Sequence, residues 1–429
     1  AKEINALRKE GTEEARQAII EKAQELERLF TPSALPQKEP GLLSTIELTL
    51  EDGSKALILP QKLEFTKEGQ TIHLFPGSTF TFSGEKVRFR GIVDESDPNE
   101  QNRGKYALEI DLEGGGGLHR LATQAEIQEQ GDNFWPYETL TQEEMEKQYQ
   151  ALAETLRFAG VLEQLSSGGE GIIGIDNQEY AIPSLEQVLV QMAEKQEILA
   201  PKIEQGFTKL LLVPFAKELD TLIEQAKQRI LAHKKAGKLF STDGTVLELD
   251  ETTPIWVWDQ YPNADKDGRL VYDPQEYSPN HGGKTKSQVL SQSSSTPGWQ
   301  VLLIEDMPDI PRENSPKTQT LGGRKQLEAG KSPNEYLSTQ QTNPTYSHET
   351  YHTPESWLTY LLDHLERTNQ VIDDYQGNGS VRYLGGAYFS SDRVPTGYWD
   401  RGYRQASLGR YEPTFVNDYC GVGAAVRIS

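Results

Sequence analysis

The stretch LGGAYFSSDRVPTGYWDRGYRQASLG, residues 384–409, decides how this chain is interpreted. Its aromatic residues follow neither the spacing of an amphipathic helix nor the strict alternation of a strand, so they cannot all share one face of a core. Rigid aromatic side chains mixed with Ser, Gly, Asp and Arg are typical of recognition surfaces. We therefore expect part of this segment to contact a partner. The alternative is that the rings fill the interior of an irregular domain.

The sequence on either side of this stretch predicts the elements that support it. GVGAAVRI, residues 421–428, predicts a closing strand at 424–428. Upstream, Thr353 and Pro354 have the character of a helix N-cap and first helical position. An apolar stripe follows that should pack this helix beneath the C-terminal segment, and it contains Leu361, Leu362 and Leu365.

Residues 348–352, His-Glu-Thr-Tyr-His, spell H-E-x-x-H, the pattern in which two histidines on a helix bind zinc and the glutamate is the general base. Pro354 follows the second histidine too closely for the motif to lie within a continuing helix. Leu358 also stands where the third histidine of the longer metzincin pattern would be. The sequence therefore predicts a loop here, and a zinc-dependent hydrolase is the alternative to a binding function.

The composition narrows the possible functions further. A formal net charge of −22 over 429 residues disfavours nucleic-acid binding. Cys420 is the only cysteine, so an internal disulfide and a multi-thiolate metal site are both excluded. No apolar run is long enough to predict a transmembrane segment. The start of the chain shows no secretory signal pattern, and cytoplasm, virion and cell surface stay open as locations, as does the oligomeric state.

Two other segments begin like ligand-binding loops and then depart from the pattern. Residues 280–285, NHGGKT, would form a phosphate-binding loop only with a glycine in place of Ser278. Residues 263–268 begin like a calcium loop, but Pro274 occupies the place of the bidentate glutamate. We expect no cofactor and no metal site.

The N-terminal part of the chain has a different pattern. Helical periodicity over residues 1–30 is followed by alternation between about 42 and 120, which predicts a small β unit. Four glycines at 114–117 predict a loop at its end, and helical spacing returns over 122–166 and 184–236. We expect an α+β protein with a helical region at 1–180 that carries the β unit, and a second domain at 181–429.

The C-terminal sequence resembles the variable region of the target proteins of diversity-generating retroelements, which have a C-type lectin fold related to the formylglycine-generating enzyme. The resemblance rests on 384–409 and 421–428 and covers roughly residues 200–429. Matching upstream stretches are PKIEQGFTKLLLVPFA at 201–216, HGGKTK at 281–286, PGWQVLLIEDMPDIP at 297–311, GGRKQLEAGKSPNEYL at 322–337 and TPESWLTYLLDHLERTNQVIDDYQGNGS at 353–380. It implies a C-terminal domain of C-type lectin fold with a variable region at about 381–429.

In that family, an error-prone reverse transcriptase randomises adenines in AAC and AAT codons, which then never encode Lys, Glu, Gln, Met or Trp. Between Ala387 and Cys420 these types occur only as Trp399, Gln405 and Glu412. The resemblance implies that these three are fixed scaffold, together with Gly385, Gly386, Gly421 and Gly423. Cys420, which we expect to be exposed to oxidation without a partner, fits one outcome of a randomised codon.

The resemblance also implies a set of variable, ligand-binding positions. They are Ser390, Ser391, Asp392, Arg393, Tyr398, Asp400, Tyr403, Tyr411, Phe415, Asn417, Asp418 and Tyr419. No catalytic residue is implied, because a lone Cys420 cannot reproduce the paired cysteines of the formylglycine-generating enzyme. The calcium-dependent sugar motifs of animal lectins are missing as well. We expect a non-enzymatic protein that binds an unknown macromolecule, expected to be a protein; the alternatives are the zinc hydrolase and a structural virion or surface component.

Overall fold

The computed structural model of the chain describes residues 45–67, 69–74, 78–110, 118–135, 137, 139–377 and 379–429. The helix predicted over 1–30 and the glycine loop predicted at 114–117 lie outside these residues. Within them, helices combine with several mainly antiparallel sheets, so the α+β class is confirmed. No helix in these ranges is both long and apolar enough to cross a membrane.

The strands in chain order are β1 Ile46–Thr49, β2 Lys55–Leu59, β3 Leu63–Lys67, β4 Gln70–Leu74, β5 Thr79–Phe82, β6 Glu85–Val93, β7 Tyr106–Glu109, β8 His119–Ala122, β9 Gly131–Trp135, β10 Glu163–Gln164, β11 Glu170–Ile173, β12 Glu179–Ala181, β13 Phe207–Val213, β14 Ile255–Val257, β15 Leu270–Tyr272, β16 Lys284–Thr285, β17 Gln300–Glu305, β18 Thr320–Leu321, β19 Arg324–Lys325, β20 Glu349–Tyr351, β21 Asp374–Tyr375, β22 Val381–Tyr383, β23 Ala387–Phe389, β24 Val394–Asp400, β25 Gln405–Tyr411, β26 Cys420–Val422 and β27 Ala424–Arg427. The helices are α1 Gln124–Gln130, α2 Gln142–Phe158, α3 Leu185–Glu194, α4 Gln196–Glu204, α5 Leu219–Lys235, α6 Lys286–Leu290, α7 Pro333–Thr342 and α8 Pro354–Thr368, with a 3₁₀ turn at Pro344–Tyr346.

The chain divides into two compact units. The described residues of the first unit lie within 45–61 and 90–123. In this unit β1 pairs with β2, β2 pairs with the end of β6, and β7 pairs with β8, all antiparallel where a register is defined. A small apolar core includes Leu50, Ile58 and Val93. Strands β1 to β7 lie within the range of about 42–120 in which the sequence predicts a β unit, but residues 62–89 of that range belong to the other compact unit, so a single β unit stays a prediction.

The second unit comprises the described residues within 62–89 and 124–429. Residues on both sides of the predicted boundary between 180 and 181 belong to this unit, and the division into domains at that point stays a prediction. A four-stranded antiparallel sheet in the order β13-β17-β27-β20 lies in its core. The closing strand predicted at 424–428 is confirmed as β27, which pairs with β17 and β20.

The helical prediction over 184–236 was wrong for β13. Its sequence, FTKLLLV, is almost fully buried in the sheet. A strand that is covered on both faces has a continuous apolar run, and periodicity alone cannot distinguish such a run from a buried helix. The prediction over 122–166 likewise missed β9 and β10, although α2 fills much of that range.

Helix α8 begins as the sequence predicts. The Thr353 side chain caps the backbone N–H of Ser356, and Pro354 occupies the first turn. Leu361, Leu362 and Leu365 are buried, which confirms the apolar stripe. The helix contacts α2, α5, β13 and β24. It therefore connects the four-stranded sheet to the C-terminal strands.

A six-stranded sheet contains most of the C-terminal segment. Its order is β14-β25-β24-β22-β26, and β21 pairs in parallel with β24. The central pair, β24 and β25, is antiparallel over seven residues, from Val394 opposite Tyr411 to Asp400 opposite Gln405. This pair positions the aromatic residues that the sequence singles out.

Candidate binding surface

Strands β24 and β25 have one face in the core and one face directed away from it. Gly397 lies against the indole of Trp357 in α8, and Trp399 is 1% exposed in the same core cluster as Trp357. Because successive side chains of a strand point to opposite faces, Thr396 and Tyr398 lie on the other side. Their cross-strand partners are Gly409 and Ser407.

Strand β14 extends this outer face. Trp256 pairs with Ser407 and is 41% exposed. A Cβ atom at Gly409 would lie 3.8 Å from the Tyr398 ring and 3.9 Å from the Trp256 ring. Gly409 thus lies next to both rings at ordinary contact distance, and the tightest neighbour of a Cβ there would be the Thr396 hydroxyl oxygen, at 2.8 Å.

Neighbouring rings complete what we call the aromatic surface. Its members are Trp256, Tyr375, Tyr398, Tyr411, Phe415 and Tyr419. The centroid of Tyr375 is 5.7 Å from that of Tyr398 and 4.8 Å from that of Tyr419. Tyr411 and Phe415 are stacked at 4.1 Å. Apart from the exposed Trp256, the members are half-buried, so each ring has a packed side and an accessible side.

A buried layer supports these rings. The tyrosine and phenylalanine members of the surface pack against a cluster that includes Tyr383, Val394 and Val422. The hydroxyl of Tyr383 donates to the carbonyl of Phe415 over 2.9 Å. Burial raises the pKa of Tyr398 to about 12 and also raises the pKa of Tyr411. Both hydroxyls therefore remain protonated at neutral pH and can donate hydrogen bonds.

Cys420 belongs to the buried layer, and the expectation that it is exposed was wrong. It lies in β26 opposite Val381 of β22 and is 0% exposed. Burial raises the pKa of its thiol to about 12. A buried, protonated thiol behaves as a small apolar side chain rather than as a reactive nucleophile.

The predicted ligand-binding positions on the β23–β24 turn are accessible. Ser390, Ser391 and Asp392 are exposed. The Ser391 hydroxyl donates to the Gln260 side chain over 2.7 Å, and Asp392 accepts from the Tyr388 hydroxyl over 2.8 Å. Arg393 lies 3.4 Å from Glu412. This turn forms a polar rim next to the start of β24.

The other predicted positions differ in exposure. Tyr403 is 73% exposed, Asp418 is also exposed, and Asn417 is half-buried. Asp400 is the one member of the predicted set that is buried, at 5% exposure. Its carboxylate accepts from the backbone N–H of Tyr403 over 3.0 Å, so it holds the β24–β25 turn.

The positions predicted as scaffold are mostly buried. Trp399 and Gln405 are buried, whereas Glu412 is exposed. A Cβ at Gly386 would lie 2.3 Å from the Tyr351 carbonyl oxygen, and one at Gly423 would lie 1.8 Å from the Arg382 guanidinium. Corresponding Cβ atoms at Gly385 and Gly421 would also be closer than 3.0 Å to a neighbour. Larger side chains do not fit at these four glycines without a shift of their neighbours.

The H-E-x-x-H residues do not lie on a helix, which confirms the predicted break before α8. His348 is exposed, Glu349 belongs to β20, and His352 is buried with its Nδ1 3.0 Å from the Ser356 hydroxyl. Glu349 is itself buried and forms ion pairs with Lys202 and Arg324, each at 2.7 Å. Among the described residues, no group of three or more His, Cys, Asp or Glu side chains could hold a metal ion.

Two members of the aromatic surface were not among the residues predicted from the sequence. Trp256 lies in β14, Ile255–Val257, and strand alternation could have indicated that its ring faces away from the side on which Ile255 and Val257 lie. Tyr375 is placed by β21, a two-residue strand whose sequence carries no detectable pattern.

Comparisons with known proteins identify no relative of this chain. No family model matches the chain, and neither the curated proteins nor the solved structures give a match.

Proposed function

We propose that the C-terminal part of this chain is a non-enzymatic binding domain of C-type lectin fold, whose aromatic surface and polar rim are diversified by a retroelement. The observation that carries the proposal is the arrangement of the predicted variable positions. All of them except Asp400 are exposed or half-buried, and those on β24 and β25 lie on the strand face opposite α8.

The chemistry of the surface supports a protein partner. Tyrosine and tryptophan offer large, rigid contact areas at a small cost in conformational entropy, and the nearby Ser, Asp and Asn side chains supply adaptable hydrogen bonds. Trp256 and Tyr403 are exposed, whereas the other rings of the aromatic surface are half-buried and pack against the buried layer. Such a surface can change its specificity at the exposed side chains while the buried layer stays the same.

The close packing beneath the aromatic surface is consistent with a sheet that tolerates substitutions on its outer face but not on the face towards the core. Trp399 faces the core while its strand neighbour Tyr398 faces out. Diversification that spared Trp399 and the tightly packed glycines would leave the fold intact. The zinc-hydrolase alternative has less support, because Glu349 is occupied by two buried ion pairs instead of being free to act as a base.

Sequencing the gene and the DNA around it tests the proposal. We expect a reverse-transcriptase gene nearby, together with a near-copy of the segment that encodes about 381–429, differing mainly opposite template adenines. The differing codons should include those of the exposed members of the predicted variable set, such as Ser390 and Tyr403, and should omit Trp399, Gln405 and Glu412. A locus without such a copy would contradict diversification, and the aromatic surface would then have to be explained as a fixed site.

A further inference from the structure

The second unit has a cavity of about 370 Å³, and no member of the aromatic surface lines it. Its walls include Lys195, Gln275, Gln340, Gln341 and Arg427, together with the backbone of Gly385 and Gly386. Cavities of this volume are at the small end of those that bind small molecules. The proposed binding function does not use it.

The cavity contains a positive charge without a partner. Lys195, between α3 and α4, is half-buried and forms no ion pair with any residue in the described part of the chain. Burial lowers the pKa of its ammonium group, and the positive charge of Arg427 lowers it further, while the charge of Glu194 acts in the opposite direction and is outweighed. Two cations that line one cavity repel each other, and an anion bound near both would offset this repulsion.

The negative groups at the cavity are already neutralised. Asp273 is bound by both terminal nitrogens of Arg427, and Glu349 by Lys202 and Arg324. Arg427 also has a buried Nε donor that meets no acceptor among the described residues. Lys195 therefore leaves a surplus of positive charge, in a chain whose overall charge is −22.

The three glutamine side chains at the cavity indicate which hydrogen-bonding groups a ligand would need in addition to a negative charge. The Nε2 group of each donates to a backbone carbonyl: Gln275 to Asp273, Gln340 to Glu349, and Gln341 to Gln275. Their side-chain carbonyl oxygens are left as acceptors. Hydroxyl groups are among the donors that suit these oxygens.

We propose that this cavity binds a small hydroxylated anion, with its carboxylate or phosphate group at Lys195 and its hydroxyl groups at the glutamine side chains. A sugar acid and a sugar phosphate share this chemistry. The site is separate from the aromatic surface, so the proposal stands or falls independently of the diversified binding function.

Isothermal titration calorimetry of the full chain with gluconate, glucose 6-phosphate and uncharged glucose tests the proposal. We expect at least one of the two anions to bind and glucose to bind at least tenfold more weakly. Binding of only one anion identifies the group that the cavity accepts. Failure of both anions to bind at millimolar concentration, or equal binding of glucose, would overturn the proposal.

Variants then locate the site. Lys195→Gln removes the charge and leaves a polar side chain that is one bond shorter. It should weaken anion binding about tenfold or more, because a hydrogen bond to a charged group is lost. Lys195→Arg should keep binding within about threefold of wild type. Lys235→Gln, an exposed position at the end of α5, is the matched control and should not change binding. Unchanged binding in Lys195→Gln, with its thermal transition preserved, would show that the cavity is not the site.

Discussion

The rings of Tyr411 and Phe415 lie parallel, with their centroids 4.1 Å apart and an angle of 1° between their planes. The turn after β25 produces this stack, because the backbone N–H of Phe415 donates to the carbonyl of Glu412. The Tyr383 hydroxyl, which belongs to the buried layer, donates a hydrogen bond to the Phe415 carbonyl. The stack is therefore attached to the buried layer and presents a rigid aromatic edge at the surface.

We predict that Tyr411 and Phe415 stabilise the domain cooperatively. A double-mutant cycle with Tyr411→Ala and Phe415→Ala should give a coupling free energy of about 1 kcal/mol, measured by urea unfolding, since a stacked pair contributes beyond its buried area. The pair Tyr403→Ala and Phe415→Ala is the control, because no ring contact joins these residues. Equal coupling in both pairs would contradict a specific stack.

Replacement of exposed and buried rings should have very different effects on stability. Tyr403→Ser should change the free energy of unfolding by less than about 0.5 kcal/mol, because the ring is 73% exposed. Trp399→Ala should lower it by about 3–5 kcal/mol, because a fully buried indole is lost. Chemical denaturation of the two variants measures the difference. A large loss in Tyr403→Ser would favour the alternative in which the aromatic segment is merely packed.

Gly397 should tolerate no side chain. A Cβ at this position would lie 2.5 Å from two ring atoms of Trp357, so Gly397→Ala should lower the free energy of unfolding by about 1–3 kcal/mol. Gly402→Ala is the control, since its Cβ would meet only the ends of the Gln376 and Asp400 side chains. Similar losses in both variants would argue against close packing between β24 and α8.

The parts of the fold and of the aromatic surface that could be predicted from the sequence are those set by residues close together in the chain. The start of α8 could be predicted because Thr353 and Pro354 act on the backbone next to them. Strand β13 could not be predicted, because its continuous apolar run is equally typical of a buried helix. The burial of Cys420 depends on β22 pairing with β26 across 39 residues of chain, from Val381 to Cys420. Trp256 joins the aromatic surface through an even more distant pairing, with Ser407.

The buried ion pairs of Glu349 give a prediction about the H-E-x-x-H stretch. Glu349→Gln should lower the free energy of unfolding by about 3–5 kcal/mol, because Lys202 and Arg324 would keep buried charges without their shared partner. Chemical denaturation measures the loss, with the exposed Glu251→Gln as control. A Glu349→Gln variant of normal stability that loses a zinc-dependent hydrolytic activity would instead support the enzyme.

His364 should make the second unit sensitive to acid. It is 7% exposed in α8, and burial, assisted by the charge of Lys209, lowers its pKa to about 4. Asp306 and Asp363 act in the opposite direction and are outweighed. The folded state keeps this imidazole neutral while the unfolded chain binds a proton below about pH 6.5. Its contribution to stability is therefore complete above that pH and is lost as the pH falls towards 4.

The expected size of this effect is about 2 kcal/mol between pH 7 and pH 5. Urea unfolding of the wild-type chain and of His364→Gln at both pH values measures it, and the variant should lose less stability by about that amount. His348→Gln removes an exposed histidine and should retain the full wild-type pH dependence. Buried His352, whose pKa is also lowered by burial, is intact in all three proteins, so its contribution cancels in the comparison. An identical pH dependence in wild type and His364→Gln would show that His364 does not resist protonation in the folded state.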